Sequence, residues 1–247
     1  MFVTGGASGI GLAIAEALRA EGARVTIADI DGDRVEKLSA SSGFFGVPLD
    51  VSDFDSWSTA KAAAQRENGP VDLLVNNAGI GANGNALADV DPRSFNRLVQ
   101  INLCGTFFGI STFAGDMRER GGGHILNTAS IVGLAAQGGI GGYCATKFGV
   151  VGMSEALRQE LEPHGVGVSV LCPGMVRTRL NETTTQFGGP SEGAPQYQLE
   201  EGMDPVQVAN CALQGIRKNL LHIFTHGDAI DRIEARHKSL LADYHGR

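Results

Sequence analysis

Nothing in this 247-residue chain approaches the ~18 consecutive apolar residues that a bilayer-spanning helix requires, so no membrane span is expected. No block of like charge stands out either. The balance is 20 basic against 27 acidic residues, net −7, which excludes general affinity for nucleic acid or an anionic membrane. The four cysteines, Cys104, Cys144, Cys172 and Cys211, form no CxxC pair, and no Cys/His cluster has metal-ligand spacing. The six histidines contain no HExxH. Free thiols, a reducing compartment and no metal are therefore expected. The opening Met-Phe-Val-Thr-Gly-Gly lacks a basic region followed by an apolar stretch, so no signal peptide is expected and a cytoplasmic location is. There is no internal repeat and no domain linker, which points to one domain over residues 1–247.

What the chain does have is an ordinary globular composition, 43% hydrophobic and 19% charged, with 35 glycines concentrated at loop positions. Apolar runs alternate with helical patterns. Strands are expected at Phe2–Thr4, Arg24–Ala28, Phe44–Leu49, Val71–Val75, His124–Thr128, Val166–Leu171 and Leu221–Phe224. Val71–Val75 is apolar throughout, as a strand covered on both faces should be. Helices are expected at Ile10–Glu21, Phe54–Glu67, Tyr143–Glu162, Asp204–Arg217 and Asp228–Tyr244. Another opens at Asp91 as N-cap with Pro92 in the first turn and runs to about Arg118. The alternation predicts an α/β fold: a doubly wound parallel sheet of about seven strands, with helices on both faces.

The first strand runs into Thr4-Gly5-Gly6-Ala7-Ser8-Gly9-Ile10-Gly11 and then a helix. Free backbone N–H groups and the positive end of the helix dipole suit a pyrophosphate there. Gly5, Ser8, Gly9, Ile10 and Gly11 are the candidate contacts. The spacing is TGxxxGxG rather than GxGxxG, and a glycine-rich turn without ligand is the plainer alternative. The second strand ends in Ala28-Asp29-Ile30. An acidic residue about 20 positions after the glycines accepts hydrogen bonds from ribose hydroxyls and repels a 2′-phosphate, which favours NAD over NADP. Asp29 could instead simply cap the next helix. Asp50-Val51 ends the third strand and could flank the adenine.

Further along stand Asn76-Asn77-Ala78-Gly79 after the fourth strand, Asn102 in the next helix and Ser130 after the fifth. Tyr143-Cys144-Ala145-Thr146-Lys147 and Pro173-Gly174-Met175-Val176-Arg177-Thr178 follow. In this order and context the set resembles the short-chain dehydrogenase/reductase family over nearly the whole chain. The resemblance implies a Rossmann-like single domain, nicotinamide cofactors and a homo-oligomer, dimer or tetramer. Tyr143 and Lys147, four apart, share a helix face. A free tyrosine, with a pKa near ~10, is a poor base at neutral pH; an adjacent ammonium and an oxidised nicotinamide would both lower that value. Under the resemblance Tyr143 takes the hydroxyl proton, Lys147 also binds the nicotinamide ribose, and Ser130 orients the substrate oxygen. Asn102 holds a water linking Lys147 to solvent. Asn77, Ala78 and Gly79 join the cofactor set, while Pro173, Gly174, Val176 and Thr178 wall the nicotinamide. Each residue has a plainer alternative: a packed aromatic for Tyr143, a solvated lysine, a helix cap for Ser130, backbone satisfaction for Asn102, strand-end support for Asn77 and Gly79, an ordinary turn at Pro173-Gly174.

The chain departs from the family pattern in two places. Only Met1, Phe2 and Val3 precede the Thr-Gly turn, against ~5–6 residues in a typical strand, which bears on stability more than on chemistry. The ending after Thr225 carries an amphipathic helix with Ile230, Ile233, Leu240 and Leu241, expected either to cap the substrate cleft or to dock against a partner subunit; with His226 and Ile233-Glu234-Ala235-Arg236 it resembles family members that handle bulky hydrophobic or aryl alcohols. The irregular stretch Asn181–Gly202 is a candidate substrate lid. With its neighbour Met203 it offers Phe187, Tyr197 and Leu199, which suit an apolar substrate or simply anchor the lid. The expectation is an NAD-dependent alcohol dehydrogenase or ketone reductase; the rival is a non-catalytic dinucleotide-binding redox sensor or scaffold.

Overall fold

The structure, a computed structural model, describes residues 1–81, 84–180, 182, 184, 201–227 and 229–246. Seven parallel strands form one sheet in the order β3-β2-β1-β4-β5-β6-β7. They are β1 (Phe2–Thr4), β2 (Thr26–Asp29), β3 (Phe45–Pro48), β4 (Leu73–Asn76), β5 (Gly123–Thr128), β6 (Val166–Cys172) and β7 (His222–Phe224). The sheet is extended outward from β1 in one direction and from β4 in the other. The two central strands therefore diverge at their carboxyl ends, where an open α/β sheet leaves its ligand crevice. This is the Rossmann-like doubly wound fold expected from the alternation.

Successive residues of the central strands point to opposite faces, and both faces are covered. Phe2, Leu74, Ile125 and Val168 face α3 (Phe54–Asn68), α5 (Gly105–Arg120) and the end of α6 (Gly141–Leu161), which contribute Trp57, Phe113, Met117 and Leu157. Val3, Val75, Leu126 and Leu171 face α1 (Gly9–Ala20) and α7 (Pro205–Arg217), which contribute Ile14, Leu18, Val208 and Leu213. This is why β4 reads as an unbroken apolar run rather than an alternating one. A polar thread crosses the first of these layers. The Asn76 amide donates to Asn127 Oδ1 at 2.9 Å, the Asn127 amide donates to Ser154 Oγ at 3.0 Å, and Ser154 donates to Val150 O at 2.7 Å. Asn76 and Asn127 are register partners across β4 and β5.

Three features differ from the sequence expectation. Helix α2 (Gly32–Ser42) buries only Val35, too little for an apolar stripe to announce it; it is set by the Asp31 N-cap, whose carboxylate accepts the Arg34 N–H at 3.1 Å. The helix opened by Asp91 and Pro92 is not uniform. It runs as α4 (Pro92–Val99), a π turn over Gln100–Cys104 and then α5. The whole stretch Pro92–Arg120 is long and apolar enough by length and composition to cross a membrane, a correction to the opening expectation. Its residues Ile110, Phe113 and Met117 are nevertheless part of the core. The candidate lid falls outside the described residues except for Glu182, Thr184, Glu201 and Gly202. Its far end is anchored: Met203 bridges Val176, with Met203 N donating to Met175 O and Arg177 N to Met203 O, both at 3.0 Å. The C-terminal helix α8 spans Ala229–His245.

Candidate active site

A cavity of about 470 Å³ opens at the carboxyl edge of the sheet, along the divergence of β1 and β4. One end is built from the β1–α1 turn. Thr4, buried just before the turn, accepts the backbone N–H groups of Asn77 (2.9 Å) and Ala78 (3.1 Å) and thereby ties the ends of β1 and β4 together. Gly5 and Gly9 hold positive φ, +61° and +53°, which glycine adopts without strain. A Cβ on Gly5 would lie 2.9 Å from Ala78 Cα, and one on Gly9 would lie 3.1 Å from Thr178 Cγ2. The glycines therefore keep this cradle open between the β1 turn, the β4 turn and the loop after β6. Helix α1 points its N-terminus into it, and its N-cap Ser8 makes no side-chain cap bond. First-turn amides without internal partners and a positive dipole end are left facing the cavity, as a pyrophosphate requires.

Of the expected cofactor residues, Gly5, Ser8, Gly9, Ile10, Asp29, Ile30, Asp50, Val51, Asn77, Ala78, Gly79, Pro173, Gly174, Val176 and Thr178 all line the cavity. Gly11 does not. It is buried, and an added Cβ would overlap Gly5 O and the Asn77 amide; its role is to let α1 close against the strand ends. Asp29 accepts the Ala7 and Asp31 N–H groups, each at 3.1 Å, which fixes its carboxylate at the rim. Arg34, which the sequence reading overlooked, donates from Nε to Ala7 O at 2.5 Å.

At the other end stand Ser130, Tyr143 and Lys147. The length of α6 puts Tyr143 and Lys147 one turn apart, and Lys147 Nζ lies 5.4 Å from the Tyr143 ring centroid. Lys147 donates to Thr128 O at 3.0 Å. Its backbone is packed against the turn after Ser130, where a Cβ on Gly133 would come within 2.6 Å of the Lys147 carbonyl oxygen. Ser130 accepts the Val132 N–H at 3.3 Å, so it caps the short helical turn Ile131–Gly133, and it donates to Pro173 O at 3.3 Å. Its capping and substrate-facing readings are compatible.

Burial pushes the Tyr143 phenol up to about 12, offset in part by the Ser130 hydrogen bond and reinforced by Cys144. Lys147, whose ammonium stands over the ring, is itself pushed down to about 8 by burial. Asn102 is buried close to Lys147. It does not line the cavity; its Oδ1 accepts the Ile80 N–H at 2.8 Å and its Nδ2 donates to Ile80 O at 2.9 Å. The π turn presents it there. A Cβ on Gly79 would lie 3.1 Å from Asn102 Oδ1 and 3.8 Å from Lys147 Nζ, so Asn102 shapes the wall behind Lys147.

The wall formed by the loop after β6 has a clamp. His226 Nδ1 accepts the Gly174 N–H at 3.1 Å, and Nε2 lies 3.0 Å from Met175 O. A carbonyl only accepts, so the ring is the Nε2–H tautomer. Arg232, from α8, enters the same cavity. Sequence reasoning tied His226 only to the resemblance of the chain's ending and gave Arg232 no role.

Residues 1–187 match the family described as short chain dehydrogenase. The chain is 38% identical over 232 residues to the probable oxidoreductase EphD of Mycobacterium tuberculosis, covering 87% of this chain but 39% of that protein. It thus spans well under half the length of that relative. It is 36% identical over 211 residues to a 3-alpha-(or 20-beta)-hydroxysteroid dehydrogenase of the same species, covering 84% of this chain and 78% of that one. A Burkholderia phymatum short chain dehydrogenase/reductase, solved in complex with NAD, superposes with a TM-score of 0.88 at 29% identity, over 98% of this chain and 94% of that one.

Proposed function

The chain belongs to the short-chain dehydrogenase/reductase family, and from that premise we propose that it is an NAD-dependent oxidoreductase interconverting a secondary alcohol and its ketone. The observation that carries this reading is the meeting of two things in one cavity: a glycine cradle at a helix N-terminus, and a Ser130–Tyr143–Lys147 group at the opposite end. When bound, the dinucleotide supplies the hydride acceptor and, in its oxidised form, a positive charge. The chain's own residues do the rest. Gly5, Ser8, Gly9 and Ile10 bind the pyrophosphate, Asp29 takes the adenosine ribose, and Pro173, Gly174, Val176 and Thr178 wall the nicotinamide. Ser130 holds the substrate oxygen against Tyr143, which, once ionised, receives the hydroxyl proton in oxidation and, as the phenol, returns it in reduction. Lys147, protonated at neutral pH and bonded to Thr128 O, keeps a positive charge over the Tyr143 ring. Ile131, Val132, Ile140 and Met175 line the substrate end, which suits an apolar or aryl body.

A panel of secondary alcohols assayed at the NADH absorbance band with NAD and with NADP tests this directly. Turnover with NAD is expected. Tight NADH binding without turnover of any alcohol would favour a redox sensor or scaffold instead. Asp29→Ala is expected to narrow the NAD over NADP preference by at least roughly tenfold, because a like-charge repulsion near the rim is removed while Arg34 remains beside it. A wild-type enzyme that already prefers NADP would overturn that role. His226→Ala removes two hydrogen bonds from the nicotinamide wall, worth about 1 kcal/mol each. The KM for the dinucleotide is expected to rise by up to about 30-fold; steady-state kinetics showing no change would mean the loop holds its shape without the clamp.

A further inference from the structure

We infer that Arg232 makes this a site for secondary alcohols bearing a carboxylate on an apolar body, the guanidinium receiving the carboxylate. The inference rests on the reading of Ser130 and Tyr143 given above and adds the substrate class.

Helix α8 is fastened beside the reacting end. Ile233 packs against the cluster of Ile131, Val132, Ile140 and Cys144, with Tyr143 and Phe148 alongside. The Arg236 guanidinium stands 5.2 Å from the centroid of the Phe148 ring. Arg232 is held by Nη2, which donates to Ala135 O at 3.2 Å, and this bond fixes it in the cavity wall near the turn that carries Ser130. The carbonyl contributes no charge and occupies one of five guanidinium N–H donors.

Among the described residues, the other charges of the cavity are accounted for. Its two carboxylates, Asp29 and Asp50, belong to the adenosine end; Asp29 accepts backbone amides, and Asp50 accepts the backbone N–H and the hydroxyl of Ser52, at 2.9 and 2.6 Å. Lys147 serves Tyr143. Arg179 pairs with Glu182 at 2.5 Å. Arg232 is half-buried and, among the described residues, has no carboxylate in ion-pair reach. A partly desolvated cation without a counter-charge is costly, and the planar guanidinium fork matches a carboxylate bidentately. The cofactor's phosphates do not supply that partner, since their cradle is at the α1 end while Arg232 arrives from α8 beside the Tyr143 cluster. Among the described residues, the rest of the substrate end is apolar, apart from the Gln137 side chain at its rim and the His226 ring, which is taken up by Gly174 and Met175. A hydroxy acid with a cyclic or aryl body satisfies all three demands: a hydroxyl at Ser130 and Tyr143, an apolar middle, an anion at Arg232.

The test is a set of cyclic secondary alcohols, each offered as the carboxylate and as the carboxamide of the same skeleton, to wild type, Arg232→Gln and Arg232→Lys. Wild type is expected to show a KM for the carboxylate lower by roughly tenfold or more, the scale of a charge-assisted hydrogen bond. Arg232→Gln should raise the carboxylate KM to that of the carboxamide, with kcat and the carboxamide KM little changed, and Arg232→Lys should recover part of the difference. No carboxylate preference in wild type, or an equal rise of both KM values in Arg232→Gln, would overturn the inference and leave the alcohol dehydrogenase reading standing. Should no alcohol be turned over, that reading fails instead. The inference is then decided by titrating the enzyme–NADH complex, followed by NADH fluorescence, with cyclohexanecarboxylate and with its carboxamide. A carboxylate preference that Arg232→Gln abolishes supports it, and equal affinities refute it.

Discussion

Replacing Tyr143 by phenylalanine is expected to lower kcat by about 10³-fold, within the range that a positioned general acid–base contributes, while NADH affinity stays largely as in wild type. The substitution is local. The ring remains packed with Cys144, Ile140 and Val132, and Ser130 keeps Pro173 O as a partner. Only the proton-carrying oxygen goes. Because burial holds the phenol at about 12, the hydroxyl of the free chain is protonated through the neutral range. Proton acceptance then requires the phenol first to release its own proton, which positive charge brought close by the oxidised cofactor and by Lys147 favours. Steady-state kinetics at the NADH band, with NADH fluorescence titration as the control, checks this. Turnover comparable to wild type in the phenylalanine variant would sink the mechanism.

Lys147→Met is expected to abolish most turnover and yet make the protein more stable at neutral pH. Holding an ammonium where burial lowers its pKa from 10.5 to about 8 costs roughly 3 kcal/mol below pH 8. Methionine is similar in length and uncharged, so the penalty disappears. The variant gives up the bond to Thr128 O, worth about 1 kcal/mol, leaving a net gain of about 2 kcal/mol. The sign with pH follows from proton uptake. Between pH 8 and 10.5 the unfolded chain carries a proton on Lys147 that the folded chain has lost, so wild-type stability rises with pH across that window relative to the variant. The advantage of Lys147→Met should therefore be full below pH 8 and fade toward pH 10.5. Urea melts at pH 7 and pH 10 measure it, and a variant less stable than wild type at pH 7 would show that Lys147 supports the fold rather than straining it.

The parts of the molecule legible in the sequence are those fixed by local chemistry. Asp91 with Pro92, and Asp204 with Pro205 and Gln207, mark helix starts by residue type alone, and both caps are present. The glycine turn and the residues at successive strand ends declare a crevice because a parallel sheet sends all its carboxyl ends to one edge. What the sequence concealed depends on backbone or on distance. The anchor of Lys147 is the carbonyl of Thr128, which every residue possesses. The π turn that sets Asn102 against Ile80 has no compositional mark in Gln100–Cys104. The Tyr143 pKa follows from burial, which spacing to Lys147 does not report. Arg232 becomes a candidate only once α8 lies beside α6, about 90 residues earlier in the chain, as the packing of Ile233 on the cluster that includes Cys144 shows.

The asparagine thread across β4 and β5 bears on how the sheet avoids misassembly. In a sheet with one wet face, sliding a strand by one position exposes its apolar side chains, and hydrophobicity alone proofreads the alignment. Here β4 is buried on both sides at every position, so a slipped β4 would still be apolar inside and out, and that safeguard is missing. Asn76 and Asn127 supply another. In the native alignment they face one another and their amides join. Displaced by one residue, each would lie in a greasy layer with its hydrogen bond broken, at a cost of about 1–3 kcal/mol for each stranded group. The polar pair thus acts as an alignment key in a stretch of chain whose oil-loving neighbours could not tell one setting from the next.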